Sequence, residues 1–191
     1  MSLLRTFLVA EIGPDVAGRA QKLINKLKAS STAKVSWVRP GDLHFTLSFL
    51  GEIIDREIPK LLTAVNDAVR DLPAFDLICR GVGVFPSLDN PRTIWLGVTD
   101  GYDEMIELHS RLEAAFAPLG IRGEGRRYRP HLTLGRIRQS DTGMIELREQ
   151  LAEFEDYEAG IMTVSEVTVF HSDLRSHGPE YAVLGHAELL G

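Results

Sequence analysis

The chain has 191 residues, 44% of them apolar, with a formal net charge of −6 and one cysteine, Cys79. That is enough apolar material for a buried core, which excludes wholesale disorder. A single cysteine excludes an intrachain disulfide and a cysteine-based zinc cluster, and it suits a reducing compartment. The acidic balance argues against coating long nucleic acid, but not against holding one terminal phosphate.

The N-terminal stretch carries Arg5 and Glu11 and does not read as a signal peptide. No apolar run approaches the roughly 20 residues that span a bilayer. A soluble, cytoplasmic protein is the expectation, with no membrane partner and a monomer as the default.

In chain order, Arg5 to Ile12 is β-branched and aromatic and predicts a strand. Pro14 and Asp15 open a helix to about Lys28, with Val16, Ala20, Leu23, Ile24 and Leu27 on one face. Val35 to Val38 is a short strand, and Arg39 to Asp42 is a turn. Leu43 to Leu50 is a strand, followed by a helix from about Asp55 to Arg70. Strands at Ala74 to Val84 and Arg92 to Val98 flank a loop from Phe85 to Pro91. Gly101 to Leu119 is helical. A glycine- and arginine-rich approach then leads to a strand from His131 to Ile137, and a helix from about Thr142 to Phe154 follows. Strands at Ile161 to Phe170 and Tyr181 to Leu189 close the chain, with Ser176, Gly178 and Pro179 in the turn between them. Hairpin-like pairs interrupt the helix–strand alternation, which favours α+β over a doubly wound parallel sheet.

Two short stretches repeat: His44-Phe45-Thr46-Leu47 and His131-Leu132-Thr133-Leu134. Alternation along a strand puts His44 with Thr46 on one face, and His131 with Thr133 likewise, with apolar residues behind. Such a pair of units suits phosphodiester chemistry. One imidazole takes a proton from water while the other gives one to the leaving oxygen. The threonine hydroxyls hold non-bridging oxygens. The scheme needs no metal and no cofactor. One such motif alone would be read as a structural histidine; the second copy shifts the reading to function. Arg122, Arg126, Arg127, Arg129, Arg136 and Arg138 surround the second motif, with Glu124 opposing them. Their place beside His131 suggests anion recognition as much as a solubilising loop. His109 reads as a boundary residue of its helix, and His171, His177 and His186 as surface residues.

These motifs, in their contexts Leu43-His44-Phe45-Thr46-Leu47-Ser48-Phe49-Leu50-Gly51-Glu52 and Arg129-Pro130-His131-Leu132-Thr133-Leu134-Gly135-Arg136, resemble the two-histidine phosphoesterase superfamily. The resemblance is strongest to its RNA 2′,3′-cyclic phosphodiesterase branch, also called 2′-5′ RNA ligase-like, and it spans nearly the whole chain. It implies one domain, residues 1–191, of two pseudo-symmetric lobes around a central cleft, with one motif in each lobe. It implies hydrolysis of an RNA-terminal 2′,3′-cyclic phosphate to a 2′-phosphate. His44 would be the general acid and His131 the base, although the symmetry of the motifs leaves the reverse open. RNA 2′-5′ ligation is the branch's second activity, expected to be weak here because no nucleotide-activating motif is present. A cyclic phosphate of a small metabolite as substrate, or a non-catalytic binder of RNA ends, are the competing readings.

Five residues after His44 stands Phe49, and five after His131 stands Arg136. Strict alternation turns both away from the cleft; a bulge at Gly135 would return Arg136 to it as a phosphate ligand, as the family pattern implies. Phe49 and Phe85 are candidates for base stacking, with core packing as the alternative for Phe49. Ser48 and Arg129 are weaker site candidates.

Overall fold

The computed structural model describes residues 2–123, 125, 127–139, 143–175 and 178–191. Glu124 and Arg126 of the arginine-rich segment, the helix start expected at Thr142, Ser176 of the expected turn, and His177 lie outside the described residues.

The chain runs β1 (Leu3–Glu11), α1 (Pro14–Ala29), β2 (Lys34–Trp37), β3 (His44–Ile54), α2 (Ile58–Val69), β4 (Phe75–Phe85), β5 (Thr93–Val98), α3 (Tyr102–Phe116), β6 (His131–Gln139), α4 (Gly143–Glu153), β7 (Glu158–Val164), β8 (Glu166–Arg175) and β9 (Gly178–Glu188). The helices form where apolar residues recur every three or four positions. In α1, Val16, Ala20, Leu23, Ile24 and Leu27 are buried; Pro14 and Asp15 sit in its first turn and Lys26 and Lys28 in its last, which suits the helix dipole. The other helices bury Ile58, Leu61, Val65 and Val69, then Met105, Leu108, Leu112 and Phe116, then Met144, Leu147 and Leu151.

Among the described residues all strand pairings are antiparallel, in the order β7-β4-β5-β6-β3-β1-β8-β9, with β2 pairing to β6. The expected α+β class is therefore observed; the antiparallel sheets expected one to each lobe are joined into a single curled sheet. The two motif strands, β3 and β6, are neighbours at its centre, joined through the single pair Phe45–Leu132. This narrow seam divides the sheet into two lobes. Helices α1 and α4 pack together over β7 and β4 on one lobe, and α2 and α3 over β9 and β3 on the other.

Each lobe draws on both halves of the chain. Strand β1 belongs with β3, yet α1, which follows it, crosses to the β4–β7 lobe. Strand β5 belongs with β6, yet α3, which follows it, crosses back. Each lobe thus carries one copy of the motif, although neither lobe is one consecutive half of the chain. Two boundaries differ from expectation and bear on the site. Strand β4 continues through Phe85, which pairs with Thr93 instead of starting a loop. Strand β9 begins at Gly178, so Gly178 and Pro179 are paired residues, opposite Arg175 and Leu174.

Candidate active site

The Phe45–Leu132 pair fixes the geometry of the motifs. Continuing its antiparallel register places His44 opposite Thr133 and Thr46 opposite His131. The four polar side chains form a two-by-two block with the histidines on a diagonal, where cross-strand positions stand about 7–8 Å apart. Phe45, Leu47, Leu132 and Leu134 point the other way into the core, each at most 1% exposed. A cleft of about 360 Å³ opens over the block, lined by His44, Thr46, Thr133, Phe49 and Arg136 among others. His131 stands at the far corner, half-buried, with its ring edge-on to Phe85 at 5.0 Å between centroids.

Both motif strands carry a bulge at the same place. On β3, Thr46 faces Val9 and Ser48 faces Leu8, so Leu47 is an extra residue. On β6, Thr133 faces Trp95 and Gly135 faces Ile94, so Leu134 is extra. Each bulge reverses the alternation. Leu47 and Ser48 are both buried, as are Leu134 and Gly135, and the residue five after each histidine returns to the cleft. Phe49 (42% exposed) and Arg136 therefore line it together. A bulge near Gly135 was expected, but glycine's conformational freedom is not its cause: Gly135 has no positive φ. What requires glycine is space, because a Cβ there would lie 2.7 Å from Val35 Cγ1 and 2.8 Å from Trp37 Cε3.

Backbone groups orient both imidazoles. His131 Nδ1 lies 2.7 Å from the Arg129 carbonyl, which can only accept. The proton is thereby held on Nδ1, and Nε2 is the nitrogen left to exchange one. His44 is likewise hydrogen-bonded to the backbone carbonyl two residues before it, that of Asp42. Burial lowers the His44 pKa below the ordinary histidine value of 6.5, while the Asp42 carbonyl and carboxylate pull it up. Behind the block, the bulge in β3 is clamped from α3 and the segment before β6. His109 Nδ1 donates to the Leu47 carbonyl at 2.8 Å, and Tyr128 Oη donates to the Thr46 carbonyl at 3.2 Å. The two rings stack at 4.2 Å. His109 sits at a boundary, as the sequence suggests, but its bond to the motif strand was not foreseen.

The remaining candidates separate. Phe85 is half-buried beside His131 and packs between it and Trp95, with the Arg129 guanidinium 5.6 Å over its ring. Ser48 faces the helices, where its hydroxyl donates to Glu113 at 2.5 Å, so it is not a site residue. Of the described arginines around the second motif, Arg136 lines the cleft, Arg138 donates to Ser36 at 2.6 Å, and Arg122 and Arg127 are exposed. His171 and His186 face Asp173 and Glu166 in the β8–β9 hairpin. Among the described residues no group of three His, Cys, Asp or Glu could hold a metal ion, and no helix is long and apolar enough to cross a membrane.

Sequence reasoning missed Arg5, Phe7, Asp42, Ser172 and Tyr181, all of which line the cleft. Tyr181 is three strands from His44 in the sheet order, yet their rings meet edge-on at 5.7 Å, and Tyr181 also meets Phe7 at 5.1 Å. The sheet curls enough for its edge strand to close over the motif. Arg39 secures that closure, with Nε 2.6 Å from Asp42 and Nη2 donating to the Pro179 carbonyl at 2.8 Å. Burial, assisted by the Asp42 carboxylate, raises the Tyr181 pKa; Arg136, Arg39 and Arg5 pull it down. No spacing in the sequence links these residues, because they converge only through the curl.

Comparison with known proteins agrees with this geometry. Residues 14–175 match the family model of the 2′-5′ RNA ligase superfamily. The chain is 34% identical to a protein of Methanothermobacter thermautotrophicus named RNA 2′,3′-cyclic phosphodiesterase, over 93% of this chain and 95% of that one. It is 29% identical to a Thermotoga maritima protein of the same name, over 98% and 97% of the two chains. The crystal structure of TT0787 of Thermus thermophilus superposes with a TM-score of 0.83 at 25% identity, covering 98% of this chain and 99% of that one. With both motifs set on adjacent central strands across one cleft, and the match running through nearly all of the elements that build it, this chain belongs to the 2′-5′ RNA ligase superfamily, the two-histidine phosphoesterases.

Proposed function

We propose that the protein hydrolyses RNA-terminal 2′,3′-cyclic phosphate to a 2′-phosphate by acid–base catalysis with His44 and His131. The observation that carries this reading is the block of two histidines and two threonines facing a cleft into which the β6 bulge returns Arg136. The names of the relatives supply the substrate class.

In this mechanism Thr46, Thr133 and Arg136 hold the non-bridging oxygens and offset the charge that grows on phosphorus. His131, with its proton fixed on Nδ1, takes a proton from water through Nε2. The water oxygen bonds to phosphorus, the bond to the 3′ oxygen breaks, and His44 protonates that oxygen. Burial lowers the His44 pKa, and a bound phosphate anion favours its charged form, so substrate loads the acid. A 5′-hydroxyl in place of water would give a 2′-5′ linkage in the same site, which accounts for ligation as a side activity. Phe49, exposed beside the block, offers a face for the terminal base. Phe85, edge-on to His131, is the second aromatic candidate for stacking on a base.

The test is a short RNA ending in a 2′,3′-cyclic phosphate, incubated with the wild-type protein, His44→Ala and His131→Ala in the presence of chelator. A 2′-phosphate product that both substitutions abolish is the expected result. Activity restored to a chelated sample by added metal would overturn the metal-independent mechanism. Turnover confined to small cyclic phosphates would move the substrate class away from RNA.

A further inference from the structure

Beyond the motif block, the cleft contains a second row of hydrogen-bond donors. Thr6 pairs with His171, so Arg5 faces Ser172 in the antiparallel register, and Ser172 in turn pairs with Tyr181. Arg5, Ser172 and Tyr181 thus follow one another across β1, β8 and β9, with Glu52 next in the row on β3; all but Glu52 line the cleft, and the Tyr181 ring leans from this row onto Phe7 and His44. Glu52 stands opposite Arg5 in the β1–β3 register, but among the described residues no carboxylate lies within ion-pair distance of Arg5 or Arg136, whereas the Arg39 charge is taken by Asp42. In a chain of net charge −6, two arginines without a close ion pair that reach one cleft from different lobes are an anion-binding feature.

The order of the rows is informative. On β1, Val9 faces Thr46, Phe7 faces Phe49, and Arg5 comes next. From the threonine row to the Arg5 row is four residues, about 13 Å along the strand. The cleft therefore presents an anion position, then an aromatic pair, then a second anion position. One nucleotide unit of RNA has the same order: a 3′-terminal phosphate, a nucleoside, and a phosphodiester on its 5′ side.

We infer that Arg5, Ser172 and Tyr181 form a second anion subsite, which holds the phosphate on the 5′ side of the terminal nucleoside. The inference rests on the phosphodiesterase reading above and names the part of the substrate that this reading leaves open. It makes the preferred substrate one with a 5′ phosphate group, not a bare nucleoside cyclic phosphate.

The test compares kcat/KM for three substrates: a nucleoside 2′,3′-cyclic phosphate with a free 5′-hydroxyl, the same compound with a 5′-phosphate, and a dinucleotide ending in the cyclic phosphate. The wild-type protein is expected to prefer the 5′-substituted substrates about tenfold to a hundredfold, the range of one charge-assisted hydrogen-bond set. In Arg5→Gln that ratio should collapse towards one, and Tyr181→Phe, which keeps the ring against His44, should reduce it partly. The 5′-phosphate and dinucleotide arms tell whether the subsite takes a monoester or a diester. A wild-type ratio near one, or a ratio unchanged in Arg5→Gln, would overturn the inference. If no substrate is turned over, the phosphodiesterase reading fails, and the subsite is then judged by binding. A dinucleotide 2′-phosphate should bind more tightly than a nucleoside 2′-phosphate, and Arg5→Gln should erase the difference; equal affinities would refute the subsite separately.

Discussion

Replacing Tyr128 by Phe removes a hydroxyl that does not line the cleft but is bonded to the backbone of the first motif. Its bond to the Thr46 carbonyl, at 3.2 Å, stands beside the bond from His109 to Leu47, the extra residue of the β3 bulge. The ring itself stays, stacked on His109 at 4.2 Å. Losing a partly buried hydrogen bond costs about 1 kcal/mol, and up to about 3 kcal/mol if the carbonyl is left dry. If about 1 kcal/mol of that is felt at the transition state, kcat falls about fivefold. His109→Leu removes the 2.8 Å bond and a ring stack worth about 0.5–1.5 kcal/mol, so its effect should be larger on both stability and kcat. The assay is urea unfolding alongside kcat and KM on a nucleoside 2′,3′-cyclic phosphate. A stability loss in both variants with kcat intact would show that the pair only supports the fold and that the bulge needs no clamp.

Gly135→Ala should destabilise by about 1–3 kcal/mol, the range for overpacking, because its Cβ meets Val35 and Trp37 below 3 Å; it should also weaken phosphate binding by disturbing the Leu134 bulge that aims Arg136. Urea unfolding and product inhibition by a nucleoside 2′-phosphate check both effects, and a neutral outcome in either would count against the stated packing. Arg136→Ala should lower kcat/KM by about 10²-fold or more if it meets developing charge, and guanidinium in the buffer should restore part of it. The acid and base assignments can be separated with an activated phosphodiester whose leaving phenolate needs no proton: His44→Ala should retain most activity on it while His131→Ala does not, and the opposite pattern would reverse the roles. Finally, because burial depresses the His44 pKa in the folded state, the unfolded chain takes up its proton first as the pH falls below 6.5. Stability attributable to His44 should therefore decline below that pH and level off beneath the folded-state pKa. A wild-type minus His44→Gln stability difference that is flat between about pH 7 and 5 would contradict this.

What could be read beforehand follows from the range of the signal. Period-two alternation is local, so the pairing of His44 with Thr46 and of His131 with Thr133 was available from four residues at a time. The return of Arg136 was available too, but only through the family resemblance, which implies an arginine ligand there, with Gly135 suggesting the bulge that would supply it. The cause was misplaced: the alternation breaks at Leu134, and Gly135 is small because Trp37 and Val35 lie across it from β2. Ser48 shows the same effect in reverse, since the Leu47 bulge carries it into the helix layer against Glu113. Phe85 looked like a loop residue because Pro86 follows it, but the strand persists to the proline and brings its ring to His131. Arg5, Ser172 and Tyr181 were beyond reach, because their association depends on which strands are neighbours and on the curl that folds β9 back over β3.

The interleaved topology explains how a seam of one residue pair can hold the two motif histidines in register. If each lobe were one half of the chain, β3 and β6 would meet only at Phe45 and Leu132, and the diagonal between the histidines would vary with any hinge motion. Instead α1 leaves β1 for the far lobe and α3 leaves β5 for the near one, so the connections cross the seam in both directions. The bond from His109 to the Leu47 carbonyl and the one from Tyr128 to the Thr46 carbonyl add polar ties at the motif itself, each from a segment that lies between β5 and β6. The buried residues then form one continuous cluster beneath both lobes, from Leu8 and Leu47 through Leu132 to Met162. Phosphoryl transfer asks chiefly for two proton-exchanging groups held at a fixed separation around an anion. In this protein that separation is set less by the bond pattern at the seam than by the crossing of the chain behind it.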